Sequence, residues 1–241
     1  MSGKIIIYGA SGGIGSACAR LLAGQGLAVH LVGRNAPAME LLADELQASS
    51  SIGDVCEDGF IARATAEAGG QLSGLVYAIG SINLKTLGRL SRADFLRDFD
   101  LNALGAALAV QAAQPALKKS GAASVVLFSS IAAAQGISMH ASGGMAKAAG
   151  SGLTLSLAAE LAPGIRVNAI APSLTQTPLA KGLLQNESVA QSIAALHPIP
   201  RLGLAGEMAE LTAFLLSAQS SWITGQIIGV DGGRSSLRVK G

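Results

Sequence analysis

Charge is scarce in this chain: Asp, Glu, Lys and Arg make up 13% of its 241 residues, aromatics only 3%, and there are two cysteines and three histidines. Each shortage removes a class of function. The 17 Lys and Arg stand against 15 Asp and Glu without forming basic runs, so no nucleic-acid partner is indicated. Cys18 and Cys56 make no disulfide framework and have no metal-ligand spacing to a histidine. They read as small hydrophobes in a reducing, cytoplasmic compartment. Long apolar runs are missing as well. The apolar run in MSGKIIIYGA breaks at a glycine, too soon for a signal segment or a membrane span. Leu101 to Leu117 is uncharged, yet Asn102, Gln111, Gln114 and Pro115 interrupt it, and it reads as a buried helix. No membrane partner is expected.

What is abundant is hydrophobic residue, 50% of the chain. That excludes disorder and leaves apolar surface to bury against further copies, so a homo-oligomer, dimer or tetramer, is expected. No linker divides residues 1–241, which read as a single domain. Short β-rich runs alternate with Ala/Leu-rich helical patterns throughout, the signature of a parallel sheet covered on both faces. Strands are expected at Lys4–Tyr8, Ala28–Val32, Ser50–Gly53, Leu75–Ile79, Ser124–Phe128, Arg166–Ile170 and Ile227–Val230. Helices are expected at Gly13–Gly24, Ala38–Ala48, Glu57–Ala68, Arg92–Lys118, His140–Leu161 and Gly206–Leu216. The fold class is therefore α/β, a doubly wound Rossmann-type sheet of about seven strands. From Ser173 to Arg201 the pattern weakens around Pro178, Pro198 and Pro200, which marks a candidate substrate lid.

Directly after the first strand stands Gly9-Ala-Ser11-Gly12-Gly13-Ile14-Gly15, which opens a helix. Glycines there permit a tight turn and close approach of the backbone to a diphosphate, and the helix N-terminus favours the anion. The second strand ends in Gly33-Arg34 where an acid would hold the adenosine ribose. Arg34 offers a planar charged fork suited to a 2′-phosphate, so NADP(H) is expected over NAD(H). Asp54, after the third strand, is positioned to accept from the adenine amino group.

Together with Asn102 in DLNALG, Ser130 ending VVLFSS, Lys147, GIRVNAIAPSLTQT at Gly164–Thr177 and the run ITGQIIGVDGG, these pieces resemble the short-chain dehydrogenases/reductases over essentially the whole chain. The layout is similar to that of bacterial 3-oxoacyl-carrier-protein reductases. The resemblance implies hydride transfer between a nicotinamide and a carbonyl or alcohol of a small-molecule substrate, by a Ser–Tyr–Lys–Asn set. In that scheme Lys147 holds the nicotinamide ribose and favours tyrosinate, lowering a phenol from its ordinary value of about 10. Ser130 orients the substrate oxygen, Asn102 belongs to a water-linked relay, and Thr177 and the backbone after Ile170 meet the nicotinamide.

The tyrosine is expected four residues before Lys147, and that position is Gly143. Ser130 keeps the family's separation from it, so no slip hides a tyrosine nearby. The chain's two tyrosines, Tyr8 and Tyr77, end the first and fourth strands. Three accounts remain open. Another group supplies the proton, with His140, one turn earlier, preferred over Ser142 or a water relayed through Lys147. Alternatively, the chain binds nucleotide without turnover. Or the glycine was introduced deliberately. Further departures, Tyr8-Gly9 for Thr-Gly, Tyr77-Ala-Ile-Gly80 for Asn-Asn-Ala-Gly and Pro172-Ser173 for Pro-Gly, accompany the missing tyrosine.

Overall fold

The structure, a computed structural model, describes residues 3–239. The first half runs β1 (Lys4–Tyr8), α1 (Gly13–Gly24), β2 (Val29–Gly33), α2 (Ala36–Leu46), β3 (Ser49–Ile52), α3 (Phe60–Ala68) and β4 (Leu72–Tyr77). It continues with α4 (Arg92–Phe99), α5 (Gly105–Lys118), β5 (Ala123–Phe128), α6 (Ala141–Leu161), β6 (Ile165–Pro172), β7 (Thr175–Gln176), α7 (Lys181–Leu184), α8 (Glu187–Ala194), β8 (Gly203–Leu204), α9 (Ala205–Leu216) and β9 (Ile227–Val230). Seven strands form one sheet in the order β3-β2-β1-β4-β5-β6-β9, every neighbouring pair parallel.

Alternation along β1 sends side chains to opposite faces. Ile5 and Ile7 join a core with Leu22 of α1, Met39 of α2 and Met208 of α9. Ile6 and Tyr8 join the opposite core with Phe60 of α3, Val110 of α5 and Leu161 of α6. Helices thus cover both faces, as expected for strands without a solvated side. The chain winds outward from β1 through β2 to β3, then returns to the other side of β1 with β4. That reversal opens a crevice at the carboxyl ends of β1 and β4.

Tyr8 and Tyr77 sit opposite one another in register at that reversal. Both are buried, with ring centroids 5.7 Å apart. Tyr8 Oη shares a hydrogen bond with Thr65 Oγ1 at 3.0 Å, and Tyr77 Oη donates to the Leu101 carbonyl at 2.9 Å. Burial pushes both phenols up, Tyr8 to about 12. They brace the sheet and are poor proton donors.

Three expectations need correction. The helix expected over Arg92–Lys118 is widened between α4 and α5 by a π turn, Asp100–Leu104. Within it Asn102 Nδ2 donates to the Asp98 carbonyl at 2.8 Å and to Ser81 Oγ at 2.9 Å, so a side chain has joined the backbone ladder. β4 begins and ends earlier than Leu75–Ile79, because Ala78-Ile79-Gly80 leaves the sheet to line the crevice. α3 starts at Phe60, after Gly59 in the left-handed region at φ 77. The short ladder of β7 with β8, and the helices α7 and α8 in the 173–201 segment, carried no readable sequence pattern.

Candidate active site

The glycine turn is dictated by contact. Gly9 has φ 80, and a Cβ there would lie 2.9 Å from the Ala78 carbonyl oxygen. A Cβ at Gly15 would strike the Gly9 carbonyl oxygen, and one at Gly13 would come within 2.7 Å of Thr177 Cγ2. Gly12 caps α1 without any side-chain hydrogen bond, so the first N–H groups of a 12-residue helix keep their donors free of a side-chain cap. Gly9, Ser11, Gly12, Gly13 and Ile14 line a cavity of about 240 Å³ whose rim includes Arg34 and Asp54. Gly15 does not line it; its place is the packing of helix on loop.

Arg34 is exposed, and its Nη1 lies 3.5 Å from Asp54 Oδ2, a loose pair in solvent. Asp54 Oδ1 accepts the Cys56 backbone N–H at 3.0 Å. That bond first, then the Arg34 charge, holds the Asp54 carboxyl below its usual range.

A second cavity of about 370 Å³ shares Ile14, Ala78, Ile79, Gly80, Thr177 and Leu179 with the first, so the two make one cleft across the carboxyl ends of the central strands. Ser130, His140, Gly143 and Lys147 all line it. Lys147 Nζ donates to the Phe128 carbonyl at 2.7 Å, and burial lowers its ammonium to about 8. Ser129 fixes α6 against the end of β5: its Oγ donates to the Lys147 carbonyl at 3.2 Å and shares a hydrogen bond with Ser151 Oγ at 2.8 Å. This sets the register of Lys147 against Ser130, whose Oγ accepts from Ala132 N at 3.2 Å.

Asn102 stands behind the cleft. Its Oδ1 is buried without a hydrogen-bond partner among the described residues, which costs about 1–3 kcal/mol if left so. A Cβ at Gly80 would lie 3.4 Å from both Asn102 Oδ1 and Lys147 Nζ, so glycine there brings amide and ammonium toward a common point. One of the two is an acceptor and the other a donor, and no hydrogen bond joins them among the described residues.

His140 precedes α6, with Nδ1 2.7 Å from the Ser138 carbonyl. That contact requires Nδ1 to carry a proton and leaves Nε2 with no protein partner among the described residues. One turn on, a Cβ built at Gly143 meets no heavy atom within 4 Å, whereas at Gly144 it would lie 2.9 Å from the Ala132 carbonyl. Of the two glycines, only Gly143 has clearance for a Cβ among the described residues. Tyr8 and Tyr77 line neither cavity, and nor does Ile170, which is fully buried with its carbonyl accepting from Ser129 N at 2.8 Å. At that end of β6 the residues exposed to the cleft are Pro172 and Ser173. The 173–201 segment supplies one wall through Leu179, Leu183 and Ile193.

Sequence reasoning missed a polar network beside the cleft. Ser81 Oγ donates to Asp98 Oδ1 at 2.6 Å, and Asn83 Nδ2 donates to Asp98 Oδ2 at 3.2 Å. Asp98 is almost fully buried, and Ser81 and Asn83 line the cavity. The spacing of Asp98 and Asn102, one helical turn apart, was the available signal.

A family model described as enoyl-(acyl carrier protein) reductase matches residues 9–235. The chain belongs to the short-chain dehydrogenase/reductase superfamily. It is 37% identical over 243 residues to a cis-4-hydroxycyclohexanecarboxylate dehydrogenase from Sinomonas cyclohexanicum, covering 96% of each chain. It is 32% identical over 244 residues to a tropinone reductase homologue from Arabidopsis thaliana, covering 97% of this chain and 92% of that one. A gluconate 5-dehydrogenase from Burkholderia cenocepacia, solved in complex with NADP and tartrate, superposes with a TM-score of 0.92 at 26% identity, covering 98% and 96% of the two chains. Its homologues are oxidoreductases, which supports an enzyme. Among the described residues no group of three or more His, Cys, Asp or Glu could hold a metal, and no helix is long and apolar enough to cross a membrane.

Proposed function

We propose that this protein is an NADP(H)-dependent oxidoreductase acting on a carbonyl or alcohol, with a proton donor other than tyrosine. The observation that carries the reading is the single cleft joining the glycine loop and Arg34 to Ser130, His140, Gly143 and Lys147. The residues fit a dinucleotide: glycines that exclude any Cβ, a helix N-terminus without a capping side chain, and a cation at each end. Gly9, Ser11, Gly12, Gly13 and Ile14 would hold the diphosphate, Arg34 the 2′-phosphate, Asp54 the adenine, and Lys147 with Thr177 the nicotinamide half. When bound, the nicotinamide supplies or accepts the hydride.

The chain's own residues do the rest. Ser130 Oγ donates to the substrate oxygen and orients it. Lys147 holds positive charge beneath it, with Asn102 close by. His140, doubly protonated as the imidazolium, releases its Nε2 proton to a water in the space that Gly143 leaves while Nδ1–H stays on the Ser138 carbonyl, and that water passes a proton to the developing alkoxide. A positioned acid contributes about 10²–10⁴-fold, less than the roughly 7–11 kcal/mol available from orientation, so loss of a tyrosine slows the reaction without removing its main source of rate. Exposed Met145 and Leu155 on α6, with Leu108 on α5, supply apolar surface for the expected homo-oligomer.

Gly143→Tyr tests the reading. A Cβ at this position meets no heavy atom within 4 Å, and the variant is expected to reduce simple ketones about 10²-fold or more faster than the parent, followed by NADPH absorbance. No gain in a folded, NADPH-binding variant would mean that the remaining groups are not arranged for carbonyl reduction.

A further inference from the structure

The far wall of the cleft carries a cation that the reaction above does not use. Arg234 lies just past β9, lines the cavity that contains Ser130 and Lys147, and does not line the cavity of the glycine loop. Its Nη1 donates to Ser173 Oγ at 3.3 Å, the one hydrogen-bond partner of its guanidinium among the described residues. A chain of hydrogen bonds stands behind it. A guanidinium only donates, so Ser173 Oγ accepts from Arg234, and it shares a second hydrogen bond with His197 Nε2, 2.8 Å away. His197 Nδ1 carries a proton and donates to the Ala194 carbonyl at 3.2 Å. Arg234 is thereby oriented while most of its five N–H donors stay free.

The acidic neighbour, Asp231, acts on the Arg234 guanidinium through its charge alone, with no hydrogen bond between the two side chains among the described residues. Asp231 Oδ1 accepts from Gly233 N at 2.9 Å and Oδ2 from Ser235 N at 2.9 Å. Elsewhere the lining of this cavity is mainly apolar, with Ile82, Leu84, Ile137, Leu174 and Ile193. A permanently charged, half-buried fork set among aliphatic side chains matches a planar anion attached to an apolar body. We propose that the substrate is a carboxylate-bearing compound with an apolar body, its carboxylate clamped by Arg234 while its carbonyl or hydroxyl carbon lies beside Ser130. This substrate class rests on the reading of the cleft as a hydride-transfer site.

The test is calorimetric titration of the protein with hexanoate and with its neutral isostere hexanamide, each with and without NADP⁺. The wild type is expected to bind hexanoate at least about tenfold more tightly than hexanamide, as charge-assisted hydrogen bonds require. Arg234→Gln is expected to lose that preference while binding hexanamide as before, and Arg234→Lys to keep part of it. Equal binding of both probes by the wild type overturns the proposal without any variant. So does unchanged hexanoate affinity in an Arg234→Gln protein that melts like the parent. Arg234-dependent hexanoate binding with no binding of NADP⁺ would uphold the clamp and remove the cofactor reading. NADP⁺ binding without carboxylate preference would do the reverse.

Discussion

Lys147 is the residue at which electrostatics and chemistry meet. Burial lowers its ammonium to about 8, against about 10.4 in the unfolded chain. Between those values the unfolded state binds more protons, so this group's contribution to stability rises as pH climbs through that window. A nicotinamide dinucleotide is a polyanion, and placing it beside Lys147 favours the ammonium form again. Binding above pH 8 must therefore take up a proton. Calorimetric NADPH titrations near pH 9, in two buffers of different ionisation enthalpy, are expected to show uptake approaching one proton per site. The uptake should fade toward pH 7 and be absent in Lys147→Met; no uptake near pH 9 would remove Lys147 from contact with the cofactor. The residues of this region differed in how far the sequence revealed them. Ser130 and Lys147 were legible because the motifs that carry them resemble the family's, and Gly143 because it stands one helical turn before Lys147. Arg234, Ser81 and Asp98 were not, because only the folded sheet brings β9's end and the β4 loop to the same cavity.

At the scale of elements, the turn from β1 into α1 is where sequence and structure agree most closely. Its glycines are fixed by what a Cβ would strike, so Gly15→Ala is expected to push the Gly9 carbonyl out of place. Overpacking of this kind costs about 1–3 kcal/mol, enough to lower Tm by several degrees in a chain of this size. NADPH affinity should fall further than that, because the displaced carbonyl belongs to the loop itself. Thermal melting together with NADPH titration checks both, and an Ala variant with unchanged Tm would show that the loop has slack. The π turn between α4 and α5 was hidden for a physical reason. The uncharged run across it looks alike whether or not one residue is looped out, and only the bonds of Asn102 and Tyr77 reveal the widening. The β7–β8 ladder was hidden because two residues per strand carry no period at all.

For the whole molecule, alternation of β and α patterns was enough to predict the seven parallel strands, since each crossover must return a strand beside an earlier one. Strand order then places the reversal between β1 and β4, and the cleft follows from that reversal. The cleft is proposed to hold NADP(H) from Arg34 at one end to Lys147 at the other. Direct titration of the purified protein with NADPH and with NADH, repeated on Arg34→Glu, tests it. NADPH is expected to bind at least about tenfold more tightly than NADH, as loss of one charged fork to phosphate implies, with the preference gone in Arg34→Glu. Absence of binding by either nucleotide, or an Arg34→Glu protein that keeps its NADPH affinity, would contradict it.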